Sequence, residues 1–179
     1  TYDSYSIQRL ITIPPNEYDS DYDNGQGKVI TLLQDLVPEY DIAILIVNDP
    51  EYGGSGGFPA ISSLAIGVEE ILIHEVGHTF AGLGDEYETP GVEPVDHLNT
   101  TQEMRPELIK WKTWILPDTP IPTPETAEYA SVVGLFEGAE YRAEGWYRPR
   151  LDCKMRTLGV PFCEVCTEGH IGAMYELLS

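Results

Sequence analysis

The sequence predicts an α/β (α+β) domain: a small twisted mixed sheet over one central helix, then an irregular C-terminal subdomain ending in a closing helix. Three observations carry this. Short apolar, β-rich runs alternate with helical periodicities up to about residue 81. The segment His74-Glu-Val-Gly-His78 lies inside an apolar stretch of helical spacing. After Glu86 the chain turns proline-rich, with Trp111, Trp114 and Trp146 scattered through it. At 179 residues this reads as one domain, with subdomains at 1–81 and 82–179.

Taken in order, residues 6–13 (Ser-Ile-Gln-Arg-Leu-Ile-Thr-Ile) are β-rich and stop at Pro14-Pro15, predicting a first strand. Residues 16–27 form an acidic, glycine-containing loop. Apolar residues at 29, 30, 32, 33, 36 and 37 predict a helix over 28–37, closed by Pro38. Residues 41–48 hold the run Ile-Ala-Ile-Leu-Ile-Val and read as a buried central strand. Tyr52-Gly-Gly-Ser-Gly-Gly57 reads as loop, and residues 60–66 as an edge strand. A helix follows over 67–81, with Glu69 and Glu70 in its first turn, where carboxylates favour the positive end of the dipole. Residues 87–150 predict mostly irregular structure, a short strand or two, and a turn of helix near 103–110. Residues 163–178 read as the closing helix, with Ile171, Met174, Tyr175 and Leu178 on one face.

The formal charge of −20 and a pI near 4.2 argue against a nucleic-acid partner and disfavour anionic membranes. No apolar run approaches the ~20 residues of a membrane span. The expectation is a soluble monomer of an extracellular or periplasmic medium. No secretory signal stands at the start, so a signal was either absent or removed before Thr1.

The chemistry is concentrated in one segment. His74 and His78, at i and i+4, share one helix face and can meet one metal ion. Glu75 lies beside the first ligand, placed to hold a water rather than the metal. Ile71, Leu72, Ile73, Val76 and Phe80 surround these polar residues, so the helix is expected to be largely buried, and buried polar groups need partners. A catalytic zinc takes three protein ligands and leaves a fourth position open. Gly82 and Gly84 let the chain double back, and Asp85 is the first side chain able to return; Glu86 is its competitor. This set predicts hydrolysis by a zinc-activated water, with Glu75 as general base and one catalytic Zn²⁺.

The motif resembles that of the metzincins, H-E-x-x-H-x-x-G-x-x-H or -D, but its glycine and aspartate come one place later. The form HEVGHTFAGLGDEY is similar to H-E-x-G-H-x-x-x-G-L-x-D-E-Y, the centre of the bacterial IgA-peptidase-type metallopeptidases. The Asn48–Gly57 loop, Gly134–Ala139, Tyr147–Pro149, Cys153–Arg156 and Phe162–Cys166 extend the likeness over about residues 41–167. The resemblance implies a metzincin-like catalytic domain and a secreted or periplasmic bacterial endopeptidase acting on protein or peptide. It also implies that Met155 is the Met-turn residue under the metal. Two residues later stands Thr157 rather than a tyrosine, so no tyrosine switch is expected. The oxyanion donor stays unassigned: Arg156 and Tyr87 are the candidates, and both read rather as structural residues. The strand at 60–66 is expected to pair with an extended substrate, with the glycine loop at the lip of the cleft.

Three cysteines, Cys153, Cys163 and Cys166, allow at most one internal pair. A disulfide from Cys153 to Cys163 or Cys166 is the expectation; a redox pair and a structural zinc with His170 as fourth ligand are the alternatives. Residues 19–25 resemble the start of a calcium loop, but Ile30 stands where a bidentate glutamate belongs, so a solvated loop without Ca²⁺ is expected. Asn99-Thr-Thr101 is a glycosylation sequon, and His97 reads as an isolated surface residue. A rival from another class is a non-catalytic binding module that keeps a structural zinc. Glu75 separates the two, because a staple needs no general base.

Overall fold

The computed structural model describes residues 24–89 and 91–178. The expected first strand and most of the calcium-like loop lie outside these residues. The chain divides into two compact units, with the division between Thr79 and Phe80.

The first unit opens with α1 (Asn24–Leu36) and continues through β1 (Ile44–Ile46), β2 (Gly54–Ser55) and β3 (Ala60–Ser62). The sheet order is β1-β3-β2. β3 runs parallel to β1, with Ile44 opposite Ala60, and antiparallel to β2, with Gly54 opposite Ser62. Backbone bonds extend the ladders: Val47 N–H donates to Ser62 O at 2.8 Å and Ser63 N–H to Gly53 O at 3.0 Å. This reverses the expected sheet positions. β3, read as an edge, is paired on both sides and buried throughout; β1, read as central, has one described partner and exposes Ile44 and Ile46. β3 is therefore closed to substrate pairing over 60–62. Helix α2 (Val68–Ala81) follows, carrying the histidine pair and burying Ile71, His74, Glu75 and Gly77. It is less enclosed than its apolar content suggests, since Ile73 is exposed.

The second unit is built around Leu83, Ile109, Trp111, Leu135, Tyr147, Cys153, Met155, Val165 and Cys166. Three short 3₁₀ turns, including Pro106–Leu108 within the expected helical turn, lead to a hairpin of β4 (Phe136–Ala139) and β5 (Arg142–Arg148). Its two-residue loop, Glu140 and Tyr141, has φ of 50° and 63°, the left-handed conformation that two-residue hairpins need and that glycine or asparagine usually supplies. Glutamate and tyrosine there indicate side chains kept for their contacts. Helix α3 (Glu164–Leu177) is capped by Cys163 and buries only Val165 and Cys166. Ile171, Met174, Tyr175 and Leu178, the expected packing face, are exposed, because only the first turn of α3 enters the core.

Candidate metal centre

On α2, His74 and His78 turn their rings edge to face, and their Nε2 atoms lie 3.2 Å apart. Two nitrogens bound tetrahedrally to one zinc at ~2.05 Å would stand about 3.3 Å apart. Within the first unit His74 is buried and His78 half-buried, so the pair is partly shielded from solvent. Two imidazoles at that spacing are borderline donors that suit zinc, so the pair fits the ion.

The glycine loop does more than border a cleft. A Cβ on Gly54 would fall 2.5 Å from Glu75 Oε1, and one on Gly56 would fall 2.5 Å from His78 Cβ. The loop therefore presses bare backbone against Glu75 and His78, a fit open only to glycine. Thr79 Oγ1 fastens it by donating to Gly57 O at 2.7 Å. Part of the segment pairs as β2, where sequence reading expected loop alone. Beside it, partial burial and the charge of Glu75 raise the Tyr52 phenol, which keeps its proton.

Gly82, with φ of 61°, ends α2 as expected. Gly84 serves another purpose: a side chain there would collide with Glu140 and His97. Asn99 brackets this turn, accepting from Gly84 N–H at 2.7 Å and donating to Gly84 O at 2.9 Å. The sequon asparagine is thus wholly buried and occupied, and no glycan fits on it in the folded chain. His97 is likewise not an isolated surface residue. Its Nδ1 lies 2.8 Å from Glu140 Oε1, which also accepts from Thr100 Oγ1.

Asp85 and Glu86 part company here. Asp85 accepts a 2.6 Å bond at Oδ2 from Tyr141 O–H, and its carbonyl accepts from Glu140 N–H at 2.9 Å. The hairpin loop thereby holds a candidate ligand by both side chain and backbone. Nothing in the motif signals Tyr141, which lies 56 residues further along the chain. Glu86 belongs to a second group of candidate ligands, with Cys153, Cys163 and Cys166, all four buried. Burial pushes its carboxyl well above the usual range, opposed by the Asn99 hydrogen bond and the charge of Arg148. The three cysteines are free thiols, with Cys153 and Cys166 Sγ 3.6 Å apart, so the expected disulfide is not formed. His170, the fourth ligand considered for a zinc there, instead places Nδ1 2.9 Å from Cys166 O and its ring against Phe162.

Of the remaining candidates, Met155 is fully buried in the second unit's core, and its carbonyl accepts from Glu86 N–H at 2.9 Å. Arg156 donates to Glu86 O at 2.7 Å, a structural bond.

Comparison with protein families decides the kinship: the model of the IgA peptidase M64 family matches residues 1–128 and 125–174. The chain belongs to the IgA peptidase M64 family. It is therefore a member of a family of metallopeptidases, and the buried group of Glu86 with the three cysteines could hold a metal ion. No curated protein sequence matches the chain. No helix among the described residues is long and apolar enough to cross a membrane.

Proposed function

We propose that this M64 family member is a secreted or periplasmic zinc endopeptidase, with His74, His78 and Asp85 as ligands and Glu75 as general base. The observation that carries the reading is the convergence of the two Nε2 atoms at 3.2 Å, on the helix that also buries Glu75. Bound zinc supplies Lewis acidity, lowering the pKa of water towards ~7 and polarising a carbonyl. Glu75, held against Gly54, accepts the proton of the attacking water and returns it to the departing amine. Tyr141 fixes the Asp85 carboxylate, as the outer partners of ligands commonly do.

Three ligands plus a neighbouring base favour catalysis over a structural staple, which would close its fourth position with another ligand. The short β2, rather than β3, is the strand placed to meet an extended peptide, because among the described residues only its partner side is paired. Casein or a quenched peptide should be cleaved by the zinc-loaded chain and spared after chelation, with recovery on adding Zn²⁺. Cleavage unaffected by complete metal removal would refute the proposal.

A further inference from the structure

We infer that the second unit holds a structural zinc ion, distinct from the proposed catalytic one, bound by Glu86, Cys153, Cys163 and Cys166. One ligand atom from each of these four buried residues lies within 4.8 Å of the others. Zinc takes sulfur at ~2.3 Å and carboxylate oxygen at ~2.0 Å, so a tetrahedral site separates two sulfurs by about 3.8 Å and a sulfur and oxygen by about 3.5 Å. The Cys153–Cys166 Sγ distance is 3.6 Å, and Cys166 Sγ to Glu86 Oε1 is also 3.6 Å. Both separations are those of a tetrahedral shell, and the remaining ones fall within 4.8 Å.

The surroundings suit thiolates. Cys163 N–H points at Cys153 Sγ at 3.2 Å, and Cys166 N–H at Cys163 Sγ at 3.5 Å. Cys163 is the N-cap of α3 and Cys166 lies in its first turn, at the positive end of the helix dipole. Glu86 is fully buried. Its Oε1 accepts from Asn99 at 2.8 Å, while Oε2 has no hydrogen-bond partner among the described residues. A buried carboxylate oxygen in that position is costly unless something binds it. Zn²⁺ with three thiolates and one carboxylate has a net charge of about −2, the displaced protons passing to solvent. Arg156, bonded to Glu86 O, and Arg148, whose charge acts on Glu86, offset that charge.

The four ligands tie together the residue next to Asp85, the Met155 turn and the start of α3. The ion is therefore a staple for the segment that presents Asp85. Its closed shell of four protein ligands leaves no position for water, in contrast to the three-ligand centre.

The test is metal content and spectroscopy on the full chain. The wild type should hold two zinc ions, and a His74→Ala/His78→Ala variant one. Loaded with Co²⁺, that double variant should show the intense near-ultraviolet sulfur-to-cobalt charge-transfer band. Cys166→Ser should weaken the band, and the gentler Glu86→Gln should cost at least tenfold in metal retained on dialysis. If the catalytic reading alone is wrong, the wild type holds one ion and its cobalt form keeps the band. A cobalt-loaded double variant without the band would overturn this inference. So would a titration finding two thiols fewer than three in the denatured, unreduced chain, which would show a disulfide.

Discussion

Replacing Gly54 by alanine adds a single methyl group, yet the geometry predicts a large loss of activity. The new Cβ would lie 2.5 Å from Glu75 Oε1, 2.6 Å from Ile71 Cγ2 and 2.9 Å from Glu75 Cγ. Ordinary contacts between such atoms are ~3.5–4.0 Å, so about 1 Å of movement is needed. Ile71 Cγ2 is a branch methyl fixed at Cβ, whereas the Glu75 carboxylate ends a flexible side chain, which directs the displacement to Glu75. A misplacement of about 1 Å in a catalytic constellation costs ~10²-fold, equivalent to about 2.7 kcal/mol of transition-state stabilisation. Overpacking should also lower folding stability by about 1–3 kcal/mol. The assay is kcat on a quenched peptide, with zinc per chain measured in parallel. The expected outcome is a fall in kcat of about a hundredfold with zinc retained. A variant within about twofold of wild type, on the same scale, would refute the idea that the glycine loop positions the base.

Other substitutions separate the remaining roles. Gly56→Ala should act on metal instead of proton transfer, because its Cβ meets His78 at 2.5 Å; zinc content after dialysis should fall. Tyr141→Phe removes the 2.6 Å bond to Asp85 and should weaken zinc affinity about 10–100-fold, read by competition with a chromogenic chelator. Asn99→Ala deletes two bonds to Gly84 and one to Glu86, at about 1 kcal/mol each, so unfolding should become easier by about 3 kcal/mol in urea titrations.

The first parts of the site are legible in the sequence because they are local. His74, Glu75 and His78 are fixed relative to one another by helical periodicity, and Gly82 marks the helix end by its φ. The choice between Asp85 and Glu86 is not local. Both follow the same turn, and their surroundings differ because the hairpin loop supplies Tyr141 to one and distant cysteines accompany the other. The cysteines read as a disulfide for the same reason: nothing near Cys153 in sequence announces Glu86. Strand centrality also escapes pattern reading, since β3 becomes central through ladders on both sides. The glycine loop is visible as glycine, but the absent side chains have meaning only once α2 is seen against them. The stripe on α3 shows the converse, an apolar periodicity exposed because the core reaches only the first turn.

Whether Glu75 moves the proton while other residues hold the metal is decided by Glu75→Gln, with zinc content and peptide hydrolysis measured on one preparation. The change keeps the side chain's shape against Gly54 and removes its capacity to accept a proton. Zinc per chain should equal that of the wild type while hydrolysis falls by at least ~10²-fold, the lower range for general-base catalysis. Hydrolysis that persists near the wild-type rate would contradict the account.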